Sequence, residues 1–111
     1  MVTKVSTRGY KDWLFQRASA IFLAIYTFFM VGFFLRYPHL TYTSWLKVVH
    51  SAWFGVSTII MLLALFVHAW IGLWTIFTDY IHHVFIRMIL QILVLISFMV
   101  YLGWTIVILW G

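Results

Sequence analysis

The sequence predicts an all-α integral membrane protein of three transmembrane helices, part of a larger helical bundle. Three observations lead there. Of its 111 residues, 66% are apolar or aromatic and 8% are charged, whereas a soluble domain is about half apolar and about a quarter charged. A chain this short has too much surface for its volume to hide that much apolar side chain from water. The apolar residues also fall into three long runs, at 18–35, 52–77 and 88–110.

Each run reaches the roughly 20 residues that a helix needs to cross a hydrocarbon core. Lipid offers backbone groups no hydrogen-bond partner, so helix is the form such runs adopt. The first, ASAIFLAIYTFFMVGFFL, follows a polar stretch at 1–16 that carries Lys4, Arg8, Lys11 and Asp12. That stretch does not read as a cleavable signal peptide, because the apolar run continues too far and no small-residue cleavage site follows. The connection at 36–51 holds the only proline, Pro38, and reads as a surface loop with room for a helical turn. The second run, AWFGVSTIIMLLALFVHAWIGLWTIF, leads into a shorter connection at 78–87 with Asp79, Tyr80, His82 and His83. The third is MILQILVLISFMVYLGWTIVILW. No internal repeat or low-complexity tract interrupts the pattern, and 1–111 reads as one membrane-anchor domain.

Charge placement gives an orientation. Lys4, Arg8, Lys11, Arg17 and Arg87 lie on one side, and Arg36 and Lys47 on the other. Basic residues concentrate on the cytoplasmic side, so the N-terminus is expected inside and the C-terminus in the periplasm. Trp13, Tyr37, Trp45, Trp53, Trp74, Tyr80 and Trp110 stand near span ends, as interfacial anchors do. The net charge of +5 is spread over span ends, which suits headgroups and orientation and argues against nucleic-acid binding. No cysteine is present, which excludes disulfides, thiolate metal sites and a thiolate nucleophile.

An ionisable side chain inside a span is costly and marks a functional site by default. His68 is the clear case. It precedes Asp79 by eleven residues, roughly 16 Å along a helix, which puts it near mid-membrane. Imidazole suits iron, and haem within a helical bundle is typically held by histidine; equally, a histidine can tie two helices together by a hydrogen bond. Gly72, Thr75 and Asp79 share its helical face. Gly72 leaves room either for a flat macrocycle or for close helix packing. No other histidine is expected at membrane depth, since His50 lies outside and His82 and His83 fall in the cytoplasmic connection. A six-coordinate haem would therefore take its second ligand from another chain. Arg17 opens the first span, where it can grip a carboxylate such as a haem propionate or serve as an anchoring charge. Asp79 and Tyr80 end the second span. A tyrosine hydroxyl there can donate to a quinone carbonyl and a carboxylate can relay protons, or the two can simply mark a helix end at the interface.

These residues carry a family resemblance over nearly the whole chain. The string HAWIGLWTIFTDY at 68–80, with DWLFQRASA at 12–20, Tyr26, MVGFF at 30–34 and RMILQ at 87–91, resembles the hydrophobic membrane anchor subunit of bacterial succinate dehydrogenase, the smaller of its two anchors, of the enterobacterial type. The resemblance implies a non-catalytic subunit of succinate:ubiquinone oxidoreductase in the bacterial inner membrane. Its partners would be a flavoprotein, an iron–sulfur protein and the other anchor, the cytochrome b subunit. It implies that His68 is an axial ligand of a b-type haem shared by the two anchors, that Arg17 lies near the haem propionates, that Tyr80 hydrogen-bonds ubiquinone and that Asp79 neighbours that site. Nothing carries over to 36–51 or to His82 and His83. Alternatives are a fumarate reductase anchor, many of which lack haem, and a haem-free assembly subunit in which His68 is helix glue. A small multidrug transporter needs four spans and a carboxylate within the membrane, and here the acids Asp12 and Asp79 lie at the edges.

Overall fold

Backbone physics accounts for an architecture made of helix. A computed structural model describes the backbone of residues 2–111 and the side chains of 9–111. Among the described residues there are four helices: α1 (Val2–Arg36), α2 (Tyr42–Val49), α3 (Ala52–Tyr80) and α4 (Val84–Trp110). Gly9–Arg36, α3 and α4 are long and apolar enough to cross a membrane. In each, 6% of the most apolar stretch is buried within the chain. The remaining apolar surface faces lipid or other subunits, as it must in a protein whose solvent is not water.

The helix boundaries have local causes. α1 extends to Val2, beyond the polar start of the sequence, because nothing between 2 and 16 breaks a helix once the span has nucleated it. Its length, about 1.5 Å for each of its residues, exceeds the hydrocarbon core of roughly 30 Å, so its polar N-terminal part reaches beyond the apolar layer. It ends at Arg36, two residues before Pro38, whose ring disfavours helix in the residue before it. The connection at 36–51 holds more than a turn. Thr41 caps α2, its Oγ1 accepting from the Ser44 backbone N–H at 3.2 Å. The second connection is shorter than the sequence suggests, because α3 continues through Thr78–Asp79–Tyr80 and α4 begins at Val84. Only residues 81–83 turn the chain, and His83 Nδ1 accepts the Ile86 N–H at 3.4 Å as the cap of α4. A first-turn cap satisfies an amide with no intrahelical partner, which accounts for a histidine that the charge pattern left unexplained.

α3 is the central helix. It packs along α1 over most of their length and touches α4 more lightly. Two hydrogen bonds stitch α1 to α3: Tyr26 Oη with Thr58 Oγ1 at 2.8 Å, and Ser19 Oγ with His68 Nδ1 at 3.2 Å. Positions 19 and 26 are seven apart, two turns along one face of α1. α4 meets α3 through the stacked rings of Phe66 and Phe98, 4.4 Å between centroids. At the α2 end a small core of Val49, Phe54 and Leu109 gathers Met30, Trp45, Val48 and Ile59 around it.

Candidate functional site

The α1–α3 stitch opens, toward the N-terminal end of α1, into a cleft of about 510 Å³. α1 contributes Asp12, Trp13, Gln16 and Arg17 to its walls, and α3 contributes His68, Gly72 and Thr75. The helical face read from the sequence, 68–72–75, is thus the face that lines the cleft. Asp79, next on that face, lies beyond it, where α3 ends.

His68 is half-buried and held from one side. Ser19, 6% exposed, places its Oγ 3.2 Å from Nδ1 and donates its proton to the Gln16 carbonyl at 3.0 Å. The Arg17 guanidinium sits over the Trp13 ring, 5.7 Å from its centroid, a cation–π contact that steadies the charge at the rim. Gly72 keeps the α3 wall low. A Cβ there would meet Gln16 Nε2 at 3.7 Å, an ordinary contact, so α1–α3 packing does not demand glycine. The space it leaves belongs to the cleft. Gln16 Oε1 is buried without a hydrogen-bond partner among the described residues. Such an orphan costs about 1–3 kcal/mol.

The family emerges from the chain as a whole. Residues 4–108 match the model of the family described as succinate dehydrogenase/fumarate reductase transmembrane subunit. The chain belongs to that family. It is also similar to a succinate dehydrogenase hydrophobic membrane anchor subunit of Coxiella burnetii (strain RSA 493 / Nine Mile phase I), 38% identical over 110 residues that cover 99% of this chain and 96% of the relative. Both the fold class and the resemblance drawn from the sequence are therefore established: this is a multi-pass membrane anchor subunit.

Within this anchor the four site residues read from the sequence fall into two groups. His68 and Arg17 face one cleft. Asp79 and Tyr80 stand apart at the end of α3, both exposed, Tyr80 at 78%. Tyr80 is twelve residues from His68, roughly 18 Å along the helix. Sequence reasoning missed Ser19 and Gln16. Their signal was faint: two polar residues, one helical turn apart, where the first apolar run begins. Among the described residues no three histidine, cysteine or acidic side chains gather as a metal cage.

Proposed function

We propose that the chain is an anchor of a bacterial inner-membrane succinate:ubiquinone oxidoreductase, and that it supplies one axial ligand to a b-type haem and part of a ubiquinone site. The carrying observation is that His68, in the middle of α3, and Arg17 face the same cleft between α1 and α3. The residues fit the group. A lone imidazole suits iron carried by a macrocycle better than a free ion, which needs several protein ligands. Gly72 leaves a flat approach beside it, and Arg17 offers a fork for carboxylates.

His68 would hold the iron through a ring nitrogen, and Arg17 would pair with a propionate. Bound there, the haem supplies a one-electron redox centre near the middle of the membrane. A further ligand would come from the other anchor, the cytochrome b subunit. Tyr80 would donate its phenolic proton to a quinone carbonyl, and Asp79 beside it would exchange protons with the cytoplasmic surface. An iron–sulfur protein would dock at that surface and a flavoprotein beyond it. This chain performs no succinate chemistry. The excess of basic residues on the N-terminal side supports a cytoplasmic N-terminus and a periplasmic C-terminus.

One observation favours a second reading, a haem-free assembly subunit. The Ser19–His68 bond is what an interhelical tie looks like. Purification from native membrane in mild detergent separates the two. The first reading expects co-purifying flavoprotein, iron–sulfur and second anchor chains, together with a b-type absorption spectrum that His68→Leu abolishes. Oxidised and reduced spectra unchanged in His68→Leu would leave only the tie.

A further inference from the structure

Ser19 has one proton and two neighbours. Its Oγ lies 3.0 Å from the Gln16 carbonyl oxygen and 3.2 Å from His68 Nδ1. A carbonyl can only accept. Two oxygens at that separation with no proton between them would repel, so the hydroxyl proton belongs to the Gln16 contact. Ser19 then faces His68 with a lone pair, and Nδ1 must carry a proton to meet it. The site is 6% exposed at Ser19, where an unmade bond of this kind costs about 1–3 kcal/mol. Neutral imidazole with its proton on Nδ1 has its lone pair on Nε2. Among the described residues Nε2 has no hydrogen-bond partner, and the ring lines the cleft.

We infer that Ser19 is a positioning residue that holds His68 in the Nδ1–H tautomer and keeps Nε2 free as the metal-binding atom. The inference rests on the proposed haem ligation and names the atom and the device behind it. The relay runs backwards from the cleft: Nε2 bare, Nδ1–H to Ser19 Oγ, Ser19 O–H to the Gln16 carbonyl of α1. It fixes the ring on two counts, since the same bond restrains rotation about the side chain. Hydrogen bonding at the far nitrogen also raises ligand basicity, which favours the oxidised metal.

The test uses the whole purified complex with Ser19→Ala, Ser19→Cys, Ser19→Thr and His68→Leu. Outer partners of a ligating histidine are typically worth about 10–100-fold in metal affinity. Ser19→Ala is therefore expected to lose haem in detergent about 10–100-fold more readily. In the haem that remains, the midpoint potential should rise and the low-spin ferric electron paramagnetic resonance signal should shift. Ser19→Cys, near in volume but a poor acceptor, should move the same way, so a packing defect of the alanine variant does not decide the matter. Ser19→Thr keeps the hydroxyl and should restore wild-type values. Wild-type potential, resonance signal and haem retention in both Ser19→Ala and Ser19→Cys, with haem lost in His68→Leu, would overturn the role of Ser19 and leave the ligand standing. A wild-type spectrum in His68→Leu would overturn the ligation itself.

Discussion

The two ends of α3 are built on different principles. At the α2 end the chain satisfies itself. Val49, Phe54 and Leu109 bury one another, Trp45 and Trp53 flank Phe54 with ring centroids 5.6 and 5.8 Å away, and the His50 Nδ1–H donates to the Leu109 carbonyl at 3.0 Å. At the other end α1 and α3 touch through Ser19 and His68 and then part around a cleft with an orphaned amide oxygen. Both ends carry a groove, about 450 Å³ beside Trp45 and about 510 Å³ beside His68, but only the second is lined by a histidine, an arginine and an acid. A membrane helix pair gains no hydrophobic drive from its neighbours in lipid, so its contacts must come from packing and polar ties. At the α2 end those ties run within the chain. At the other end the cleft interrupts them, and that is where the proposed cofactor and partner chain belong.

Two glycines give the sharpest way to break this contrast. A Cβ on Gly55 would stand 3.3 Å from Trp110 Cζ2, in filled space; a Cβ on Gly72 would touch only Gln16 Nε2 at 3.7 Å. Overpacking costs about 1–3 kcal/mol, roughly fivefold to 150-fold in an equilibrium. Gly55→Leu should lower the thermal midpoint for release of this chain from the complex while haem per assembled complex stays at wild-type level. Gly72→Leu should do the reverse, losing most of its haem with little change in the stability of the α1–α3 pair. Thermal melting alongside haem quantitation checks both. The same response from both variants would mean that the ends are not distinct.

A smaller effect is expected at the tip of α3. If Tyr80 donates to a quinone carbonyl, Tyr80→Phe removes one hydrogen bond worth about 1.4 kcal/mol, roughly a tenfold slowing of quinone reduction. Succinate oxidation by artificial dyes should stay intact, because those electrons leave before the membrane. Paired assays on one preparation would show it. Normal quinone kinetics in that variant would confine the site to the cleft alone.

These regions were not equally legible in the sequence. Three spans were plain because a run of some 20 apolar residues has few other uses. His68 was legible because an ionisable group at membrane depth is rare, Arg17 as a guanidinium where the first span opens, and the structure brings them to one cleft. α2 was read only as room for a turn: eight residues, YTSWLKVV, are too few to establish a period against a proline-containing background. The extension of α1 to Val2 was hidden by polar composition, which signals the end of lipid but not the end of helix. Ser19 was invisible for a different reason. A serine in a span more often bonds its own helix, as Ser57 does to Trp53 and Ser97 to Leu93. Whether it also reaches a residue 49 positions away depends on how α1 is rotated against α3, which no local pattern encodes. The unpaired oxygen of Gln16 was out of reach for the same reason, since its burial depends on how α1 seats against α3.

The smallest predicted effect tests whether the α2 end is isolated. Leu109 belongs to the last turn of α4, where carbonyls lack intrahelical donors, and His50 supplies one of them. His50→Ala removes that donor and should cost about 1 kcal/mol, near the lower bound for an orphaned acceptor because water at the interface can take its place. The helix end would fray, and amides near 107–110 should exchange with solvent roughly fivefold faster, the factor that such an energy implies. The haem spectrum should not move, since His68 lies eighteen residues along the chain, roughly 27 Å away if measured along α3. Hydrogen exchange and an absorption spectrum on the same sample separate the outcomes. Faster exchange with a fixed spectrum means that α3 joins two independent ends. A spectrum that shifts with His50→Ala means that the polar end and the aromatic end act on one another through the helix they share, and the contrast between them then describes one coupled structure.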